Sequence, residues 1–192
     1  MPRGPLIVVS GPAGVGKSTL VGRLVSEAAW PVRASVSVTT RQPRPGERDG
    51  VHYHFWDRER FAKEVQADGF LEWAEVFGNH YGTLRSEVDA YREQGMGVIL
   101  TIDVQGWEQV RQRCPDVVSI FVRTSSVDTL KKRLEKRGTE TPAVKERRLQ
   151  GALAELARAD EYDYQVINDD LEAATTSLRA IVSQLFERSN HA

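Results

Sequence analysis

Leu6-Ile7-Val8-Val9-Ser10-Gly11-Pro12-Ala13-Gly14-Val15-Gly16-Lys17-Ser18-Thr19-Leu20 decides the reading of this chain. A short β-branched run ends in a glycine-rich turn, and an amphipathic helical pattern begins directly behind it. Residues Gly11 to Ser18 match G-x-x-x-x-G-K-[ST] in the strand–loop–helix context that gives the pattern its specificity. The glycines let successive backbone N–H groups converge on one centre, and the helix start adds the positive end of its dipole. Lys17 supplies a point charge for β- and γ-phosphates, and Ser18 an oxygen for Mg²⁺. The chemistry expected here is nucleoside triphosphate binding over Gly11, Pro12, Ala13, Gly14, Val15, Gly16, Lys17, Ser18 and Thr19, with ATPase, GTPase and kinase activities all open.

The flanking sequence repeats the pattern. Further strands are expected at Val32 to Val38, Val98 to Asp103, Val117 to Val122 and Tyr164 to Asn168. Helices are expected at Ser18 to Ala28, Ser86 to Gln94, Gly106 to Arg113, Val127 to Arg137, Pro142 to Asp160 and Leu171 to Glu187. Apolar strands alternating with helices imply a parallel α/β sheet. Ser86, Ser126, Thr141 and Asp170 stand where N-caps are expected. Between Thr39 and Thr83 the regular wind is interrupted. A proline-stiffened loop, Arg41 to Gly46, precedes strand-like pieces His52 to Trp56 and Phe70 to Phe77, which bracket a helix from Arg58 to Ala67. Within that second piece, alternation alone puts Glu72 on a solvent face.

Composition bounds the rest. The 192 residues, 40% hydrophobic and 28% charged with a net charge of −1, describe one globular domain with insertions. No overall field draws it to nucleic acid or membrane. One cysteine, Cys114, excludes an internal disulfide framework and fits a reducing, cytoplasmic setting. The longest early apolar run is too short for a membrane span or a secretory leader. Positive charge concentrates between Arg123 and Arg148, where nine Lys/Arg face four acids, so an anion site or a solvated helix face is expected there. His52, His54, His80 and His191 lack the further ligands a metal site needs and are expected in surface or loop roles.

Asp103-Val104-Gln105-Gly106 has the form D-x-x-G known from GTPases, but no N-K-x-D follows to read guanine in that manner. A small-molecule kinase fits better, with insertions that exclude water from the transferring group. Ser37-Val38-Thr39-Thr40-Arg41-Gln42-Pro43-Arg44-Pro45-Gly46-Glu47, Tyr53, Glu72-Trp73-Ala74-Glu75 and Gly78-Asn79-His80-Tyr81-Gly82-Thr83, taken with the P-loop, resemble the guanylate kinase family. Ile102 to Gly106, Arg137-Gly138-Thr139-Glu140 and Ile167-Asn168-Asp169-Asp170 extend the resemblance over essentially the whole chain.

That resemblance implies a P-loop kinase core with a five-stranded parallel sheet in the order 2-3-1-4-5. It implies core segments at 1–36, 86–126 and 159–192, a GMP-binding insertion at 37–85 and a helical lid at 127–158. The implied reaction is Mg²⁺-dependent transfer from ATP to GMP, with dGMP an open alternative acceptor and the oligomeric state unassigned. Arg41, Arg44, Tyr53 and Tyr81 match the family's ligands for the GMP phosphate, with Glu47 in the same loop. Ser37, Glu72, Thr83 and Asp103 match its guanine-binding positions. A carboxylate at Glu72 suits the adjacent N1–H and 2-amino donors of guanine, and hydroxyls at Ser37 and Thr83 suit O6 or N7. Arg133, Arg137 and Arg148 resemble arginines brought onto the ATP phosphates, Lys17, Arg41, Arg137 and Arg148 being the catalytic set. Arg133 is also read as a helix-packing residue. Asn168 resembles a residue near the adenine, with an Asx-turn or cap as the other reading. Thr101 departs from the family, which carries an acid there. A sugar-phosphate kinase and a phosphopeptide-binding scaffold without turnover are the rival readings.

Overall fold

The computed structural model describes residues 2–76, 78–135 and 142–189. Strand β1 (Leu6–Ser10) leads into α1 (Lys17–Glu27) and the short β2 (Val32–Ala34), then β3 (Val38–Thr39), β4 (His54–Phe55) and α2 (Arg58–Gln66). Strands β5 (Phe70–Val76) and β6 (Asn79–Leu84) pair as a hairpin, followed by α3 (Ser86–Glu93), β7 (Gly97–Thr101) and α4 (Val104–Arg113). Strand β8 (Val118–Arg123), helices α5 (Val127–Glu135) and α6 (Pro142–Leu156), a 3₁₀ turn (Ala159–Glu161), β9 (Tyr164–Ile167) and α7 (Leu171–Ser189) complete the described chain.

The main sheet is parallel, with order β2-β7-β1-β8-β9, which in core-strand numbering is the expected 2-3-1-4-5. All five residues of β1 are buried, so its side chains divide between two layers. Ile7 and Val9 pack with Leu20, Val21 and Leu24 of α1 and with Ala174, Leu178 and Val182 of α7. Leu6 and Val8 face the other way, toward Val88 of α3, Trp107 and Val110 of α4, and Phe121 and Tyr162. The period of two along the strand thus builds a three-layer α/β/α core. Because β7 and β8 flank β1 and the connections leave on opposite sides, a crevice opens at the carboxyl ends of these strands.

A second sheet of order β4-β3-β6-β5 rises from the same end, closed over a small core of Val38, Phe61 and Phe70. Here the structure departs from the sequence reading. The single strand expected from Val32 to Val38 is two strands in two sheets. Ser35 N–H donates to Ile99 O at 2.9 Å as the last link to the main sheet, and Val38 then turns into the small core. Strand β6 was not expected; its pairing with β5 and β3 outweighs the weak strand propensity of Asn79 and Gly82.

Capping is mixed. Ser126 Oγ and Asp170 Oδ1 accept the expected bonds, from Thr129 N at 3.2 Å and Ala173 N at 2.9 Å. Ser86 is already inside α3, with Arg85 at the cap position and no side-chain cap. Thr141 lies outside the described residues. Helix α4 begins two residues earlier than expected, at Val104, because Asp103 caps it through Gly106 N at 2.9 Å. Helix α6 ends at Leu156, short of the expected Asp160, and gives way to the 3₁₀ turn.

Trp107 is 1% exposed and stacks on Tyr162 at a centroid distance of 4.0 Å, while its indole N–H has no hydrogen-bond partner. Trp107→Ala should therefore destabilise the chain by about 3–5 kcal/mol. Trp107→Phe, which keeps a ring and gives up no hydrogen bond, should cost less than half of that. Urea denaturation of the three proteins checks the ordering.

Candidate functional site

The loop between β1 and α1 curls as its glycines allow. Gly11 and Gly16 have φ of 136° and 93°, and a Cβ on them would meet Val122 O at 2.1 Å and Asn168 Nδ2 at 2.7 Å. No side chain other than hydrogen fits. Lys17 Nζ donates to the carbonyls of Gly11 and Pro12, the latter at 3.1 Å, and so lies folded over the loop. Ser18 and Thr19 are exposed in the first turn of α1, which contains no acid, so the free N–H groups and the dipole face a prospective anion.

Two residues that the family resemblance sets near ATP brace this loop. Asn168 is buried and donates its amide N–H to Val15 O at 2.7 Å, while its own backbone N–H donates to Arg123 O at 2.8 Å. The cap on α7 comes from Asp170, so Asn168 does not serve as that helix's cap. Arg133 donates to Val15 O at 3.4 Å and Asp169 O at 3.2 Å, tying α5 to the same loop carbonyl. Both side chains spend their donors on protein oxygens and set the loop's shape.

Across the cleft stands the proline-stiffened loop. Arg41 makes a two-pronged pair with Glu47, 2.6 Å from NH1 to Oε2 and 2.7 Å from NH2 to Oε1, and Arg44 N–H donates to Glu47 Oε2 at 2.8 Å. These bonds from Arg41 and Arg44 hold the Glu47 carboxyl down to about 2. Glu47 therefore fixes the Arg41 guanidinium and the backbone that carries Arg44, and does not itself line the cleft. The Arg41 guanidinium lies 5.0 Å from the Tyr53 ring centre, and Tyr53 meets Tyr81 edge-on at 6.1 Å. Burial pushes the Tyr53 phenol up, which keeps it a hydrogen-bond donor at neutral pH. Two guanidinium groups and two phenols on one wall suit a phosphate dianion.

Between these walls sits Glu72, only 5% exposed. The expected solvent-facing position is overturned by an irregularity in β5. Pairing passes from Phe70↔Leu84 to Glu72↔Thr83, a bulge that shifts the phase of the strand. Phe70 and Trp73 consequently share the Phe61 face, three residues apart, whereas Glu72, Ala74 and Val76 line the cleft. Thr83 is fully buried, and its hydroxyl donates to Glu72 Oε1 at 2.6 Å. Its one O–H donor is spent on Glu72, and Thr83 is not part of the cleft lining, whereas it was expected to face O6 or N7. Gly106 leaves room for the other oxygen: a Cβ there would lie 2.6 Å from Oε2. Burial pushes the Glu72 carboxyl up to about 7, Thr83 pulling against it and the nearby Asp103 adding to it.

The resulting cleft of about 340 Å³ brings together Ala13 and Lys17 of the loop with Ser37, Arg41, Arg44, Tyr53, Glu72, Tyr81 and Asp103. Thr101 and Ile102 form its floor, and Ala74, Val76 and Gly82 give it an apolar side that the sequence reading did not name. Asp103 has one oxygen on Gly106 N, as helix cap, and still lines the cavity. Arg148 projects from α6 and is not part of this lining. Arg137 lies outside the described residues. Among the described residues no three His, Cys, Asp or Glu side chains form a metal cluster, and no helix is long and apolar enough to cross a membrane.

Known proteins share this arrangement of chain. Residues 3–185 match the family model described as guanylate kinase. A guanylate kinase from Alkalilimnicola ehrlichii is 51% identical over 178 residues, covering 93% of this chain and 87% of that protein. One from Rubrobacter xylanophilus is 48% identical over 185 residues, 96% of each. The crystal structure of guanylate kinase from Anaplasma phagocytophilum aligns with a TM-score of 0.79 at 32% identity, covering 95% of this chain and 86% of that one.

An acid whose folded pKa is raised contributes stability that is present below its unfolded value and lost as pH rises through the folded one. For Glu72 that window runs from 4.5 to about 7. Glu72→Gln should remove this share. Relative to wild type, the variant should gain on the order of 2 kcal/mol between pH 5 and pH 7.5, measured by urea denaturation without ligands. A constant difference at the two pH values would place the Glu72 carboxyl back in the ordinary range.

Proposed function

The chain belongs to the guanylate kinase family, and on that premise we infer that it is an ATP:GMP phosphotransferase, moving the γ-phosphoryl group of ATP to GMP to give ADP and GDP. The observation that carries this reading is the buried Glu72, set across the cleft from Lys17 and beside a wall of Arg41, Arg44, Tyr53 and Tyr81. We assign the guanine edge to Glu72, with Ser37 and Asp103 beside it. An ionised carboxylate accepts from N1–H and the 2-amino group together, and adenine offers neither donor. Residues 37–85 are read as the acceptor-binding insertion and 127–158 as the lid.

The acceptor needs no general base. The second pKa of a phosphate monoester is about 6, so GMP carries a dianionic nucleophile at neutral pH. One of its oxygens bonds to the γ-phosphorus as the bond to the β–γ bridging oxygen breaks, and the electron pair leaves with ADP. Arg41 and Arg44, held by Glu47, orient the nucleophile. Lys17 moves from the loop carbonyls onto the phosphates, and Arg148 adds charge from α6. Catalysis of this kind is alignment and charge neutralisation. The exposed Ser18 hydroxyl in an acid-free first turn suits a Mg²⁺ shared with the triphosphate, which would neutralise phosphate charge. With no protein metal cluster among the described residues, most of its ligands would be phosphate and water oxygens.

A coupled ADP-release assay with GMP, AMP and ribose phosphates separates this reading from a sugar-phosphate kinase and from a phosphopeptide scaffold. GMP alone should turn over efficiently. In Glu72→Gln the amide NH₂ opposes a guanine donor, so kcat/KM for GMP should fall about tenfold or more and the GMP-to-AMP preference should narrow. KM for ATP should stay near wild type. Unchanged kcat/KM and preference would remove Glu72 from guanine recognition.

A further inference from the structure

One group of buried oxygens in the structure has no partner and no role in the account above. Ser10 Oγ, the Tyr162 hydroxyl and Glu155 Oε2 are buried and make no hydrogen bond among the described residues. Buried polar atoms are nearly always paired, and those left unpaired are costly, so a cluster of three calls for a reason. The Tyr162 hydroxyl faces Ser10 Oγ without reaching hydrogen-bond geometry, with Glu155 and Asp103 close enough to act on it electrostatically. Glu155 in turn feels the Lys17 ammonium and the Asp103 carboxylate. Ser10 is the last residue of β1, next to the Gly11 carbonyl on which Lys17 rests. The cluster therefore surrounds the root of the phosphate loop.

Glu155 stands in the last turn of α6. Arg148 is two turns earlier on the same helical face, with Ala152 between them packed against the protein at 3% exposure. One helix thus carries a carboxylate at the Lys17 end and a guanidinium farther along the same face. A desolvated carboxylate attracts an ammonium more strongly than neutral carbonyls do.

We propose that Glu155 is a positioning residue for the transfer, its carboxylate drawing the Lys17 ammonium off the Gly11 and Pro12 carbonyls toward the phosphate site and so fixing the helix that bears Arg148 relative to the loop. The proposal rests on the ATP:GMP assignment. The charged and titratable groups facing Glu155 are Lys17 of α1, Asp103 at the head of α4 and Tyr162 after the 3₁₀ turn; Arg148 precedes it on its own helix and Arg158 follows. Burial pushes the Glu155 carboxyl up to about 7, with Lys17 pulling it down and Asp103 pushing it further up. Its ionisation therefore falls in the working range of pH.

Steady-state kinetics of wild type, Glu155→Gln and Glu155→Asp, with thermal unfolding of each, test this. With GMP saturating, Glu72 is engaged by guanine and the phosphates titrate alike in both proteins, so the difference between wild type and Glu155→Gln in the pH dependence of kcat/KM for ATP reports Glu155. Glu155→Gln should keep or raise Tm, because it removes a buried carboxylate with an unpartnered oxygen. It should nonetheless lower kcat about tenfold or more, leave KM for GMP within about twofold, and flatten the acidic limb near pH 7 that wild type shows. Glu155→Asp, which keeps the charge at shorter reach, should recover part of kcat. A wild-type kcat and pH profile in Glu155→Gln would overturn the proposal, as would an activity loss that only tracks a loss of Tm. A wild type inert toward GMP would overturn this proposal and the function reading together, whereas an active wild type with an unaffected Glu155→Gln would overturn this one alone.

Discussion

Removing a carboxylate from water is unfavourable by several kcal/mol unless the site supplies donors or the group takes up a proton, and Glu72 is held under that constraint. The Thr83 hydroxyl supports one oxygen, and no cation among the described residues is bonded to it. Around this one side chain the local structure is arranged: a bulge turns it inward, Gly106 clears space for Oε2, and Gly82 lets β6 approach so closely that a Cβ there would lie 2.8 Å from the Phe70 ring. Such a site waits for a ligand with paired donors. On the proposed assignment, a guanine edge would complete its hydrogen bonding and restore the ionised form, so that recognition and relief of desolvation would be the same event.

The second constraint is topological. A parallel sheet whose connections diverge on either side of β1 collects the ends of β1, β7 and β8 at one crevice. The phosphate loop follows β1, Thr101 to Asp103 follow β7, and the small sheet that carries Glu72 grows out of the connection between β2 and β7. On the proposed assignment, donor and acceptor sites therefore meet at Asp103 and Lys17, although their recognition residues come from different sheets. Asp103 raises the pKa of Glu72 on one side and of Glu155 on the other, so the three carboxylates form one electrostatic unit beneath the reacting groups.

What was legible in the sequence was whatever local chemistry decides. Leu6 to Ser18 announced strand, loop and helix because β-branched residues, glycines and an amphipathic repeat each dictate conformation within a few positions. The residues assigned to the acceptor site were legible through their resemblance to a family, and nine of the expected residues line one cleft. What could not be read depends on pairing between distant segments. Strand β6 exists because two neighbours bond to it. Glu72 faces inward because of a one-residue phase shift that alternation alone denies. Asn168 and Arg133 brace Val15 across 153 and 118 residues of chain, which no local pattern encodes. Glu155 drew no notice because a glutamate in a charged helix reads as a solvated one.

On the proposed assignment, guanine binds a carboxylate that at pH 7 is about half proton-bearing until the base arrives. Calorimetric titration of GMP at pH 7 into wild type and Glu72→Gln, repeated in buffers of different ionisation enthalpy, measures the protons released on binding. Wild type should release roughly half a proton more per GMP than the variant, as a carboxyl with a pKa of about 7 gives up its proton to meet N1–H and the 2-amino group. Equal proton release by the two proteins would show that Glu72 is already ionised in the empty site, and would contradict the account.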